Sequence, residues 1–222
     1  IFTHGLPRPR NVEVAKKADE IVRARGAVPA TEGIYHGQPE VGLSDAEIEE
    51  LAYDDDVTKV SVRDISYASI TKKNGGTTIA ATALLANRAG IDVFATGGLG
   101  GVHHGASQSF DESADIFSLA HIPIVMVSSG AKAILDIPAT LERFETLSIP
   151  VVGYRTDRYP GFYVVDSGHP LTARVDEPSQ VAAMLEAQKD LQIDSAILVG
   201  QPIPEKDQLD PAELEVVLEK AW

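Results

Sequence analysis

The sequence predicts an α/β fold: a mostly parallel sheet flanked by helices, in a single domain over residues 1–222. Three observations carry that expectation. Short apolar runs such as IPIVMV (122–127) and AILV (196–199) have the length and β-branched content of buried strands. Helical patterns separate such runs along the whole chain, and strands that alternate with helices build parallel sheets. At 222 residues, with 44% hydrophobic and 23% charged side chains, the chain can bury the core such a fold needs.

The same totals exclude several classes of function. A net charge of -14 argues against a nucleic acid polymer or an anionic membrane as partner, since both need basic surfaces. A single phosphate on a small substrate needs only a few local cations and stays open. There is no cysteine, so disulfides and a thiolate nucleophile are ruled out. No apolar run is long enough to span a bilayer, and no basic segment leads into an apolar one at the start. The expectation is a cytoplasmic enzyme.

Taken in order, IFTHGLPRPRN reads as the tail of a strand followed by a proline-punctuated loop. The Ile-Phe opening without an initiator Met suggests a fragment or a processed piece. Asn11 can cap a helix over Val12 to Arg25, with Val14, Ala18, Ile21 and Val22 as its apolar stripe and Gly26 as its stop. Ala27 to Tyr35 reads as a strand and His36-Gly37-Gln38-Pro39 as a turn. Ser44 and Glu47 have capping-box spacing for a second helix. Asp54 to Asp56 form an acidic turn that lacks the spacing of a calcium loop. VTKVSVRD reads as a strand. Asn74-Gly75-Gly76 is a turn, and Thr77-Thr78 opens a helix over Ile79 to Ala89. A strand follows over Ile91 to Ala95, then a helix over Asp111 to Ala120, then the strand IPIVMV. A helix over Pro138 to Leu147, the strand IPVVGY and the turn Tyr159-Pro160-Gly161-Phe162 come next, with strand expected over Phe162 to Val165. An amphipathic helix over Glu177 to Gln188, a strand over Ala196 to Val199 and a helix ending at Trp222 complete the chain.

The chemistry concentrates in VFATGGLGGVHHGASQSFDESAD, Val93 to Asp115. Glycines at 97, 98, 100, 101 and 105 let the backbone take positive φ and approach a ligand, at the end of a strand where open α/β sheets place their sites. His103 and His104 follow, then Asp111, Ser113 and Asp115. The loop is not a dinucleotide fingerprint, because Gly98-x-Gly100-x-x-His103 lacks the third glycine; P-loop and HEXXH patterns are absent too. Asp111 reads either as a helix-start carboxylate or as a ligand for Mg or Mn, with Asp115 one turn on. In the strand VTKVSVRD, Lys59, Ser61 and Arg63 would share one face. Two cations around a hydroxyl suit a phosphate or form a solvent face. Gly-Gly-Thr-Thr before the next helix offers N–H groups and the Thr78 hydroxyl to an anion. Lys132 follows the strand IPIVMV and precedes a helical turn, AILD. A helix start and partial burial would favour a neutral amine able to form a Schiff base; the alternative is a surface lysine.

HGLPRPRN, GAVPAT, VGLS, TKVSVRD, GGTTIAAT, GIDVFATGGLGGVHHGA, FDESAD, SGAK-AILD, GYRTDRYPGFY and PIPE together resemble the pseudouridine-5′-phosphate glycosidase family, also called indigoidine-synthase-A-like. The resemblance runs from about His4 to Glu205. It implies reversible cleavage of the C–C glycosidic bond of pseudouridine 5′-phosphate to uracil and ribose 5-phosphate. It implies a divalent metal, typically Mn2+, and a homotrimer. By the same resemblance Lys132 is the nucleophile and Lys59 a catalytic substrate contact. Ser61 and Arg63 serve the phosphate; Thr78, Ile79, Ser113, Ala114 and Asp115 contact substrate; His103 lies near the base; Asp111 holds the metal. Such a bond has no basic leaving oxygen to protonate, so an imine at C1′ supplies the electron sink, with a general acid/base moving the proton.

The family's general acid/base is a Glu in an E-S-T motif that would fall before Ile1, and the family continues roughly 80 residues past Trp222, the size of a small domain. The chain is therefore expected to be truncated at both ends relative to the family. Other differences gather at the base end: Glu32 and Tyr35 in an apolar strand, His104, Ser128-Ser129 and Gln201. They motivate a second expectation, a synthase joining ribose 5-phosphate to another carbon nucleophile such as an aromatic natural product. A third is a non-catalytic sugar-phosphate-binding paralogue.

Overall fold

The computed structural model describes residues 2–221; Ile1 and Trp222, where the expected opening strand begins and the closing helix stops, lie outside the described residues. The α/β class is as expected, and the chain divides into two compact units at Ala89–Gly90.

In the first unit, Phe2 to Gly5 are turns rather than strand. Helix α1 spans Arg10–Ala24 and is preceded by Pro9. Asn11 is not its cap: it lies buried in the first turn, and its Nδ2 donates to the Phe2 carbonyl at 2.7 Å. The helix buries Val12 and Ala15, whereas Ile21 of the expected stripe is 53% exposed. Strand β1 (Glu32–Tyr35) turns through His36 and Gly37, both at positive φ, into β2 (Gln38–Val41). Two left-handed residues suit a two-residue hairpin, so Gln38 and Pro39, expected in the turn, belong to the strand. Pro39 is tolerated because β2 is an edge. Helix α2 (Asp45–Tyr53) starts on the Ser44–Glu47 capping box that the sequence predicts.

Strand β3 covers only Thr58–Val60, and a short 3-10 turn at Val62–Asp64 leads into α3 (Ile65–Thr71). Strand β4 (Gly75–Thr77) replaces the predicted turn, and α4 spans Ile79–Arg88. The sheet order is β2-β1-β4-β3, with β3–β4 parallel and the other pairs antiparallel. Glycine stands in the central strand for lack of room: a Cβ at Gly75 would lie 2.4 Å from Val60 Cγ2. Gly33 faces Leu43 and Leu51, while Ile34 packs with Val60 and Ala68, so the sheet is covered on both faces.

The second unit carries β5 (Val93–Ala95), α5 (Ala106–Ser109), α6 (Ala114–Leu119), β6 (Val125–Ser128), α7 (Ile137–Thr146) and β7 (Val151–Tyr154). After these come β8 (Arg174–Val175), α8 (Pro178–Leu191), β9 (Ile197–Gly200) and α9 (Pro211–Ala221). The five strands pair in parallel in the order β5-β6-β9-β7-β8. Val125, Val152, Val175, Ile197 and Val199 pack with Leu185 of α8, and Met126 is fully buried by the alternation of the strand. Strand β5, shorter than the expected Ile91 to Ala95, is the sheet edge, with Val93 54% exposed. Phe162 to Val165 is irregular rather than strand. Among the described residues no helix is long and apolar enough to cross a membrane.

Candidate active site

In the first unit, the predicted alternation of Lys59, Ser61 and Arg63 along one strand face does not hold. The strand ends at Val60 because the Ser61 amide donates to Asp64 Oδ2 at 3.0 Å, which bends the chain into the 3-10 turn. The Arg63 side chain is 89% exposed and its Nε lies 3.4 Å from Asp64 Oδ1. Lys59 is exposed on β3, paired in register with Gly76. Ser61 instead meets Thr78, whose hydroxyl donates to Ser61 Oγ at 3.3 Å. Thr78 also caps α4, its Oγ1 accepting from the Ala81 amide, and Ile79 is the first helical residue. Two hydroxyls thus stand at the amino end of a ten-residue helix, where first-turn N–H groups and the dipole favour an anion.

In the second unit, the glycine loop owes its composition to close packing more than to positive φ. Of its five glycines only Gly105 lies in the left-handed region, at φ 80. A Cβ at Gly100 would come 2.2 Å from Ser113 Oγ and 2.7 Å from Asp115 Oδ2. Asp115 is buried and accepts the Gly100 amide at 3.0 Å, while Ser113 caps α6 and donates its own amide to the Gly101 carbonyl at 2.9 Å. Ser113 and Asp115 therefore anchor the loop, and Ala114 opens α6 with an exposed side chain. Asp111 and Asp115 do not share a helix, as the sequence suggested, because α6 begins only at Ala114. Asp111 is exposed, and its carbonyl accepts the His103 amide at 3.0 Å, which brings the two residues together across the loop.

Lys132 is exposed rather than partly buried. AILD is a turn closed by the Leu135 amide on the Lys132 carbonyl at 3.0 Å, and α7 begins only at Ile137 behind an Asp136 cap. The helix start and burial on which the sequence argument rested are absent. What fixes Lys132 is a backbone ladder. Beyond the ends of β5 and β6 the two loops keep pairing: Leu99 bridges Ala131, the Leu99 amide donates to Gly130 at 3.1 Å, and the Lys132 amide donates to Leu99 at 3.0 Å. The lysine stands just past the carboxyl ends of two parallel strands, where sheets of this kind place their chemistry.

Among the described residues there is no group of three or more His, Cys, Asp or Glu side chains able to hold a metal. Asp111, one exposed carboxylate on a loop, fits a hard cation bound mainly through water and substrate oxygens, as Mg and Mn are with phosphorylated substrates. It does not fit a dedicated protein cage.

Sequence reasoning missed two residues that hold this region. Thr140, fully buried on α7, accepts the Val102 amide at 2.9 Å and donates to the Asp136 carbonyl at 2.7 Å. Tyr159 accepts the Ala131 amide at 2.8 Å. Neither the Thr140–Val102 nor the Tyr159–Ala131 bond leaves a local signal, since the paired residues are 38 and 28 positions apart. A cavity of about 460 Å³ under α8 is lined by Val93, Val125, Val127, Val181, Leu185 and Val199; Gln201 of the base-end differences also lines it, but none of the residues predicted to bind substrate or metal or to act in catalysis does.

A family model described as indigoidine synthase A like protein matches residues 1–222. The pseudouridine-5′-phosphate glycosidase of Saccharopolyspora erythraea is 60% identical over 222 residues, which are 100% of this chain and 73% of that protein. That of Salinispora tropica is 56% identical over 213 residues, 96% of this chain and 66% of its own length. The Frankia alni protein of the same name is 53% identical, and the chain spans 61% of it. An indigoidine synthase A-like protein from Thermotoga maritima superposes with a TM-score of 0.93 at 38% identity, covering 99% of this chain and 73% of that one. The prealnumycin C-glycosynthase AlnA, in complex with ribulose 5-phosphate, gives a TM-score of 0.90 at 40% identity over 94% of this chain and 69% of that one.

Proposed function

The chain belongs to the indigoidine synthase A-like protein family, and from that premise we propose that it is a C-glycosidase interconverting pseudouridine 5′-phosphate with uracil and ribose 5-phosphate. The observation that carries the reading is the Leu99–Ala131 ladder, which presents Lys132 with an exposed side chain at the carboxyl ends of β5 and β6. In the synthetic direction the Lys132 amine condenses with the open-chain C1 aldehyde of ribose 5-phosphate, releasing water. C5 of uracil then attacks the imine carbon, and the imine electrons return to nitrogen as the C–C bond forms. The sugar 4-hydroxyl displaces the amine to close the ring, and the proton lost from C5 passes to a general base. Cleavage runs the same steps backwards.

In this reading Lys59, Ser61, Thr78 and Ile79 serve the phosphate, with Arg63 at the periphery, and His103 approaches the base. Asp111 would hold a divalent cation, Mn2+ by the resemblance, which supplies charge to substrate oxygens. Ser113, Ala114 and Asp115 act through the loop they brace. A homotrimer and a cytoplasmic setting are part of the same proposal.

A second reading is favoured by the likeness to a C-glycosynthase with bound ribulose 5-phosphate: the same imine could be attacked by another carbon nucleophile. One experiment separates them. Protein is incubated with ribose 5-phosphate and uracil, and parallel samples are reduced with borohydride. Pseudouridine 5′-phosphate together with an adduct on Lys132 supports the glycosidase. An adduct without that product supports the synthase, and neither supports a non-catalytic sugar-phosphate binder.

A further inference from the structure

We infer that Tyr159 is a positioning residue for Lys132, locking the loop that carries the reactive amine through the backbone amide of Ala131. The inference rests on the reading of Lys132 as the imine-forming residue. Residues 129–132 are held along both edges. On one edge the glycine loop supplies the contacts of Leu99 with Gly130 and Lys132. On the other stands the segment Tyr159–Phe162. The Phe162 amide donates to the Ser129 carbonyl at 2.9 Å. Gly130, at φ 92, lies so close to the same segment that a Cβ there would meet the Pro160 carbonyl oxygen at 2.2 Å. Next along the loop, on the side of Lys132, the Tyr159 hydroxyl accepts the Ala131 amide at 2.8 Å.

Tyr159 is suited to such a role. Its side chain is wholly buried, 2% exposed, so its two torsions are fixed by packing. A hydroxyl is costly to bury without a hydrogen bond, and this one is spent on the residue immediately before Lys132. Phe162, three residues on, sits at φ 66, a conformation that a bulky residue holds only where its surroundings impose it. Its ring lies over Gly98, where a Cβ would be 2.4 Å from two ring carbons. The segment thus grips the lysine loop and the glycine loop at once. A loop held by backbone bonds on both sides keeps the Lys132 Cα in place while leaving the amine able to reach a sugar carbon. Removing the hydroxyl leaves the ring in its socket and one buried N–H without a partner, which loosens the position without emptying the core.

The test compares wild type, Y159F and Leu185→Ala, a core change on α8 that touches none of these loops. Ribose 5-phosphate is added with borohydride, the adduct is located on Lys132 by peptide mass, and its rate of formation is followed against sugar concentration. Y159F should slow trapping about tenfold at saturation with an unchanged half-saturating concentration, the signature of lost preorganisation rather than lost binding. Leu185→Ala, with an equal or larger fall in Tm, should trap within about twofold of wild type. Trapping by Y159F at the wild-type rate, or equal slowing by both variants, overturns the positioning role. A wild type that takes no adduct overturns the reading of Lys132 itself and this inference with it, a result recognisable without either variant.

Discussion

The Gly100 amide donates to Oδ2 of Asp115 over 3.0 Å, and no side chain could stand at position 100 without striking that same oxygen. The carboxylate at 115 is therefore part of the loop's framework. Replacing it by Ala strands a buried N–H, which costs about 1–3 kcal/mol. Asn keeps an oxygen acceptor of the same reach and should cost less than half as much. Denaturant midpoints of Asp115→Ala and Asp115→Asn check this. Equal losses would mean that the charge, not the acceptor, holds the loop.

Glu32 is 8% exposed on β1, and its Oε2 has no hydrogen-bond partner. It points to the face of the sheet where Ile34 packs. Burial pushes its carboxyl from 4.5 up to about 8. A proton held more tightly in the folded than in the unfolded state contributes stability that is complete below the unfolded value and lost as pH rises through the folded one. Stability should thus decline between pH 4.5 and about 8 for this residue. Glu32→Gln, which cannot ionise, should flatten that slope relative to wild type. Glu32→Leu should also raise the midpoint above pH 8, because an apolar group replaces an unpaired polar one. Thermal melts from pH 5 to 9 read both effects; parallel curves for wild type and Glu32→Gln would show that the carboxyl is hydrated.

Glu47 provides a case of opposite sign. Its carboxylate accepts the Ser44 amide and hydroxyl, both at 2.7 Å, and these bonds hold it below the ordinary carboxylate range. A depressed value gives stability that is present above the unfolded titration and lost as pH falls through the folded one. Ser44→Ala should cost about 1 kcal/mol at neutral pH, the usual worth of a hydroxyl cap. The difference between variant and wild type should shrink as pH falls below the ordinary carboxylate range and the box opens in both. Circular dichroism melts at pH 7 and pH 3 test it.

These residues also show what could be read in advance. The parallel sheet of the second unit was legible because its strands are β-branched runs too short for helices, and the Ser44–Glu47 box because it is a local pattern. Strand β4 was not, since Gly75-Gly76 has the composition of a turn; only the contact with Val60 explains glycine in a central strand. The alternation through Lys59, Ser61 and Arg63 failed because Asp64 captures the Ser61 amide, a bond that the period-two pattern cannot anticipate. Lys132 was singled out by its place after a strand, yet the dipole argument for it fails with α7 starting at Ile137. Its real support, the ladder to Leu99 and the hydroxyl of Tyr159, joins segments about thirty residues apart and leaves no trace in any short window.

The first-unit cations can be ranked by their surroundings. Lys59 lies on β3, two residues before Ser61, whose hydroxyl meets Thr78 at the start of α4. Arg63 is 89% exposed beyond the bend and already faces Asp64. A charge-assisted bond to phosphate contributes about 1.5–3 kcal/mol, so Lys59→Ala should raise the KM for ribose 5-phosphate about tenfold or more. Arg63→Ala, which removes a solvated charge, should change KM by about threefold at most. Thr78→Val should lie between them, because it deletes one hydroxyl and a cap while the first-turn amides of α4 remain. Raising the salt concentration should erode the effects of Lys59 and Arg63, which are both exposed charges, and leave the Thr78→Val effect nearly unchanged, since ions screen charge–charge attraction and not a neutral hydroxyl's bond. Steady-state kinetics of the three variants at low and high salt decide the order. An Arg63→Ala loss as large as that of Lys59→Ala would show that the guanidinium swings in from the bend to take the phosphate.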